Sequence, residues 1–205
     1  DMTAVENFDV EFERSGDLVY TRKKQSRFNT NNRINLRPFL AAREGFFKAS
    51  ILYENDSEYL FSDNLIFTSN LKYSLWDNFN DFYIPPRDTY PAQVRSDIKD
   101  YLKNFNNGPI IGRAQIDYYR TLSKNNHFMV SAGIFEEMFS GVGMEFLRFD
   151  GFSNHAYGLE IFYVKKRDYK LRFSHLDYST TSGYFNYFYR NYGKIPFDLK
   201  LSFGK

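Results

Sequence analysis

Glu136, Glu137 and Glu145 form the one tight acidic group that falls among strand-like residues. Two carboxylates flanking a glycosidic bond can run hydrolysis if their separation is right and one acid has a raised pKa. The spacing establishes neither condition, and no catalytic residue is assigned. The residues read instead as a polar network, in which Glu137 and Glu145 project inward near Arg113 or Arg148. There they would bind sugar hydroxyls or hold a loop by ion pairing. Arg113, Asp117 and Glu160 stand at polar positions of alternating runs and complete the candidate inward contacts. Arg95, Asp97 and Tyr101, with Asp100, sit in or beside a long loop and are candidate loop contacts. That loop reads as solvated, with local Asp caps and turns; the other reading folds it into or over a pore. Lys165, Lys166 and Arg167 read as a solvated basic strand end, and Arg167-Asp168 as a hairpin turn. His127, His155 and His175 lie far apart without metal-ligand spacing. No nucleophile elbow, P-loop or dinucleotide fingerprint is present, so no cofactor or metal is expected.

The elements that must position these residues are strands. Phe197 to Phe203 alternates apolar and polar residues without a break, giving one greasy and one polar face. The same grammar recurs. Phe47, Ala49, Ile51 and Tyr53 oppose Lys48, Ser50, Leu52 and Glu54. Leu65 to Tyr73 is opposed by Asn64, Thr68, Asn70 and Lys72. After Asn107-Gly108 come runs centred on Ile116, Val130, Met144 and Ile161. Residues 6–14 and 17–22 read as a first hairpin, residues 23–32 as a polar turn, and Pro38 as the mark of a bulge or exposed edge. Residues 77–107 break the alternation. Pro85-Pro86, Pro91 and the helical spacing of Val94, Ile98 and Leu102 predict a long loop with one short helix starting near Ser96. A second turn is expected over Met138 to Gly143, where glycine permits unusual backbone angles. The sum is an all-β, antiparallel up-and-down meander of roughly ten to twelve strands, in the style of a membrane barrel with one long loop.

Composition agrees with that class. The 205 residues hold no cysteine, so disulfides and thiolate metal sites are excluded. Tyr (17) and Phe (23) are abundant while Trp occurs once, and interfacial girdles are one use for such rings. An AT-rich genome would also raise Phe, Tyr, Asn and Lys together. Along Tyr184 to Tyr192, Phe185, Tyr187 and Tyr189 share a face, which fits a girdle better than a sugar-stacking platform. The net charge of +2, with interspersed signs, carries no nucleic-acid footprint. No apolar run reaches the length of a spanning helix, and the first ten residues do not read as a signal peptide.

Three stretches carry a family resemblance. They are Val94-Arg95-Ser96-Asp97-Ile98 with Tyr101-Leu102 and Gln115 to Tyr118; the run AGIFEEMFSGVGME from Ala132 to Glu145; and VKKRDY from Val164 to Tyr169 with Asp177-Tyr178 and Gly183. The order of these segments resembles the YjbH (GfcD-like) family of exopolysaccharide-associated outer-membrane proteins. The resemblance implies a barrel that extends beyond these residues at both ends, a Gram-negative outer membrane, and a part in production and export of extracellular polysaccharide. It implies lipid, the polymer and envelope proteins of the same export system as partners, and transfers no catalytic residue.

The combined expectation covers residues 1–205. It is a partial barrel, a fragment of a longer chain, whose polar lumen gives exopolysaccharide a non-catalytic passage or scaffold. The competing class is a soluble periplasmic or secreted β-sandwich that binds carbohydrate and has two packed sheets.

Overall fold

The computed structural model describes residues 26–84, 86, 97–151, 153–192 and 195–204. Within them nine strands follow one another in a single antiparallel sheet in chain order. They are β1 (Phe28–Ala42), β2 (Gly45–Ser62), β3 (Leu65–Asp77), β4 (Ile110–Ser123), β5 (Asn126–Ile134), β6 (Phe139–Phe149), β7 (His155–Arg167), β8 (His175–Asn191) and β9 (Phe197–Gly204). The expected hairpin over residues 6–22 lies outside the described residues. The outer edges of β1 and β9 carry no strand partner among the described residues, and the sheet is not closed. No second sheet packs on this one, so the two-layer sandwich has no counterpart among them.

Alternation does what period two requires. One unbroken row on one face runs Phe28, Tyr59, Phe67, Ile116, Ala132, Val142, Tyr163 across seven strands. Large apolar residues remain exposed along this face, Ile34 at 71% and Leu36 at 58% among them. It is interrupted near β1–β2, where Asn55 donates to Asn32 (2.7 Å) and Thr30 (2.9 Å), and Tyr53 donates to Asn32 (2.9 Å). These contacts explain why Phe28 to Asn32, expected as a turn, is strand. Its polar side chains find partners across the register Thr30↔Ser57 and Asn32↔Asn55.

The two ends of the sheet differ. Short connections at 63–64, 124–125, 150–154 and 192–196 share one end. The other end holds the β1–β2 turn, the connection from β3 to β4, residues 135–138, and the segment 168–174. The long β3–β4 connection contains the helix α1 (Ile98–Lys103). The described parts of this connection are only partly solvated, contrary to expectation: Asn80, Asp81 and Tyr83 stay exposed. They fold back onto the polar face as a plug, burying Phe79, Phe82, Tyr101, Leu102 and Phe105 against Leu52, Ile110, Met138, Phe139 and Leu171. Fully burying each such side chain is worth about 1.5–3 kcal/mol, which outweighs solvation of a short, weakly helical segment.

The expected turn over Met138 to Gly143 is also corrected. The reversal occupies residues 135–138, where the Phe135 and Glu136 amides both donate to the Phe139 carbonyl. Gly141 and Gly143 are strand residues of β6. Gly143 leaves room for the Phe162 ring, which a Cβ would meet at 2.2 Å. Gly133, just upstream in β5, has φ +133°, a region open to glycine at little cost.

Candidate functional site

A cleft of about 800 Å³ lies between the polar face of β1–β3, the start of β4, Ile98 of α1 and the turn at 135–138. Its floor is ionic. Arg33 donates to Glu54 at 2.8 Å and pairs with Asp56 at 2.9 Å. Asn35 adds a hydrogen bond to Glu54 (3.2 Å), and Asn70 donates to Asp56 (2.6 Å). Lys72 stands between two carboxylates, 2.8 Å from Glu137 and 3.5 Å from Glu54. Arg37 donates to both oxygens of Glu137, at 2.8 and 2.7 Å. The register explains the assembly: Arg33↔Glu54 and Glu54↔Lys72 are direct cross-strand pairs on one face.

Glu137 ties the turn 135–138 to β1 and β3. Burial pushes its carboxyl up, but Arg37 and Lys72 outweigh that and hold it below the usual range. Further ion pairs fix the plug. Lys166 reaches Asp97 at 2.6 Å, Lys99 reaches Glu44 at 3.0 Å, and Lys48 reaches Asp81 at 2.5 Å. Hydrogen bonds from Lys99 to Glu44 and from Lys48 to Asp81 hold those two carboxyls low. Asp97 also accepts from Tyr169 (2.9 Å) and makes no side-chain cap on α1. The Tyr101 hydroxyl donates to the Arg167 carbonyl, and burial raises its pKa above the ordinary phenol.

Beneath the plug lies Arg167, with no exposed surface. It donates to the carbonyls of Ile111 (2.7 Å), Glu136 (3.1 Å), Glu137 (2.9 Å) and Arg172 (2.7 Å). One guanidinium thereby joins the start of β4 to two connections, 135–138 and 168–174, at the loop end of the sheet. The solvated basic run is thus corrected: Lys166 and Arg167 are buried, because carbonyls and Asp97 supply the acceptors that water would otherwise provide.

Across residues 3–205 the chain matches the family model described as "Exopolysaccharide biosynthesis protein YbjH". The chain belongs to the YjbH family. The uncharacterized lipoprotein YjbH of Escherichia coli (strain K12) is 28% identical over 167 residues. That match covers 78% of this chain but 23% of the relative's length. No solved structure matches it.

In this YjbH-family chain the expected inward contacts divide into two groups. Glu137 and Arg113 border the cleft, but Glu137 pairs with Arg37 and Lys72, and Arg113 donates to the Phe135 carbonyl (3.3 Å). Arg148 stands at the opposite parity from Glu145 and pairs in register with Tyr157 on the apolar face. Asp117, Glu145 and Glu160 lie farther along the polar face. Asp117 is buried and occupied by Ser131 (2.5 Å) and Gln115 (2.7 Å). Glu145 and Glu160 are direct cross-strand partners, and Asn186 donates to Glu160 at 2.8 Å. Asp97 and Tyr101 belong to the plug, and Arg95 lies outside the described residues. Arg33, Arg37, Glu54 and Lys72 are not among the expected contacts, although Glu54 and Lys72 stand at polar positions of the alternating runs. Their shared face was readable from parity, yet their pairing needs the register.

The Glu137 contacts predict an acid dependence of known sign. Because the folded carboxyl titrates below its ordinary value of 4.5, its stabilisation is complete above that value and is lost as pH falls through the folded pKa. Proteolytic protection of the plug should therefore be flat near neutrality and decline only below about pH 4.5. Glu137→Gln should shrink that acid limb, leaving the shares of Glu44 and Asp81, and lower stability at neutral pH by roughly 1.5–3 kcal/mol. An unchanged acid limb in the variant would assign the titration to another carboxyl.

Proposed function

We propose that these nine strands are part of an outer-membrane β-barrel that serves exopolysaccharide production and export as a non-catalytic passage or scaffold. One observation carries the reading: a single meander presents an exposed apolar face to one side and a charged, hydrogen-bonded face to the other. Lipid-facing and lumen-facing residues alternate in this way in spanning barrels. An exposed apolar surface this broad needs a covering solvent or partner. Family membership supports the polysaccharide context, and a lipoprotein relative supports the envelope. Among the described residues no helix is long and apolar enough to cross a membrane, a fact neutral toward strands. Open edges are not viable in hydrocarbon, so closure falls to strands beyond these nine.

The polar face would act by many weak hydrogen bonds to a hydrated polymer, since one tight site would stall movement. The plug occupies that face at the loop end, so a polymer passing this end requires the plug to shift. Barrels carry their longer loops on the extracellular side, which orients the plug outward and the short turns toward the periplasm.

The test is fractionation of the full-length parent protein with heat-modifiability. Recovery in outer membranes, with a mobility shift on boiling, is the expected result. A soluble protein that runs identically boiled and unboiled would remove the barrel and leave a polysaccharide-associated envelope protein of another architecture.

A further inference from the structure

The cleft carries a statement about the chemistry of its ligand. Three of its cations are already committed to carboxylates: Arg33 holds Glu54 and Asp56, and Arg37 and Lys72 hold Glu137, each within 2.9 Å, while Arg113 donates to the Phe135 carbonyl. Among the lining side chains four cations face five carboxylates, so the wall is slightly acidic in sum. A polyanion entering it would have to break these pairs or sit against Asp56 and Glu58. Charges already paired, with the carboxamides of Asn31, Asn35 and Asn70 between them, still offer acceptor lone pairs and N–H donors to neutral hydroxyls. The volume of about 800 Å³ falls within the range of ligand-sized pockets. The Ile98 and turn side closes it at the plug, leaving the Asn29–Asn31 side toward the short-turn end.

We propose that this cleft takes an uncharged, hydroxyl-rich glycan segment and discriminates against polyanionic glycans. The inference rests on the polysaccharide reading above and names the polymer class that the same face accepts.

The probes are maltohexaose and the hexamer of galacturonic acid, titrated by calorimetry or saturation-transfer NMR against the detergent-solubilised parent protein. Maltohexaose should bind, and the uronate should bind at least about tenfold more weakly, a difference of roughly 1.4 kcal/mol. The double variant Asp56→Asn/Glu58→Gln gives up the Arg33–Asp56 pair but keeps the Arg33–Glu54 pair and leaves a side-chain oxygen at position 56 to accept from Asn70. It should bring the uronate to within about threefold of maltohexaose, some 0.7 kcal/mol. Equal or tighter uronate binding by the unaltered protein, an unmoved ranking in the variant, or no maltohexaose binding overturns the proposal. Fractionation reads the barrel independently. A soluble parent with the charge ranking intact would sink the barrel and keep the cleft, and a heat-modifiable parent without the ranking would do the reverse.

Discussion

Arg167→Met is expected to destabilise the loop end of this sheet by about 3–5 kcal/mol, the range for removing one partner from a buried charged network. Methionine fills much of the volume but donates nothing. The carbonyls of Ile111, Glu136, Glu137 and Arg172 would lose a donor while still screened from water, and an unsatisfied buried acceptor costs roughly 1–3 kcal/mol. The losses should not add in full, because the turn at 135–138 can relax toward solvent once released. Arg167→Lys is the sharper control. It retains the charge, yet a single ammonium cannot reproduce a planar fork that serves β4 and two connections at once, so it should recover less than half of the loss. The measurement is urea denaturation of the parent protein followed by loss of heat-modifiability, with limited proteolysis at the loop end. Full rescue by lysine would mean that charge, not the fan of carbonyl bonds, is what the site requires.

The contrast between Arg167 and the strands explains what was legible beforehand. Phe47 to Tyr53 and Phe197 to Phe203 declare their faces locally, because each side chain's orientation depends only on parity. The meander, its polar face and the β3–β4 interruption follow from such local patterns. Arg167 gave no comparable sign. Its acceptors are backbone carbonyls 31 and 56 residues away, at Glu136 and Ile111, and backbone acceptors leave no mark in side-chain identity. The Arg33–Glu54–Lys72 contacts occupy a middle ground: parity puts all three on one face, while the register that joins them depends on pairing across two hairpins. The turn at 135–138 was misplaced for a related reason. Gly141 and Gly143 resemble turn residues, but they serve close packing between strands, with the Tyr163 carbonyl 2.1 Å from where a Gly141 Cβ would stand.

Phe105→Ala should loosen the plug while leaving the sheet intact. Phe105 is fully buried, packs edge-on to Phe79 at 6.2 Å and lies under the Arg37 guanidinium at 5.3 Å. Truncating a buried phenylalanine costs about 3–5 kcal/mol. The strands are held by their own ladders, so this cost should fall on the folded-back segment rather than on the whole protein. A local loss of that size raises the open population by roughly two to three and a half orders of magnitude. In limited trypsin digestion, cleavage after Lys99 and Lys103 should accelerate accordingly, with the boiled and unboiled gel positions unchanged. Simultaneous loss of heat-modifiability would show that plug and sheet unfold as one unit, and unchanged cleavage would show that Phe105 does not hold the plug. Combining Phe105→Ala with Glu137→Gln adds a decisive arm, because both residues hold Arg37. Residues that share a partner couple by about 0.5–3 kcal/mol. The double variant should therefore lose less than the sum of the single losses, since an arginine freed by either change has already left the contact that the other would break.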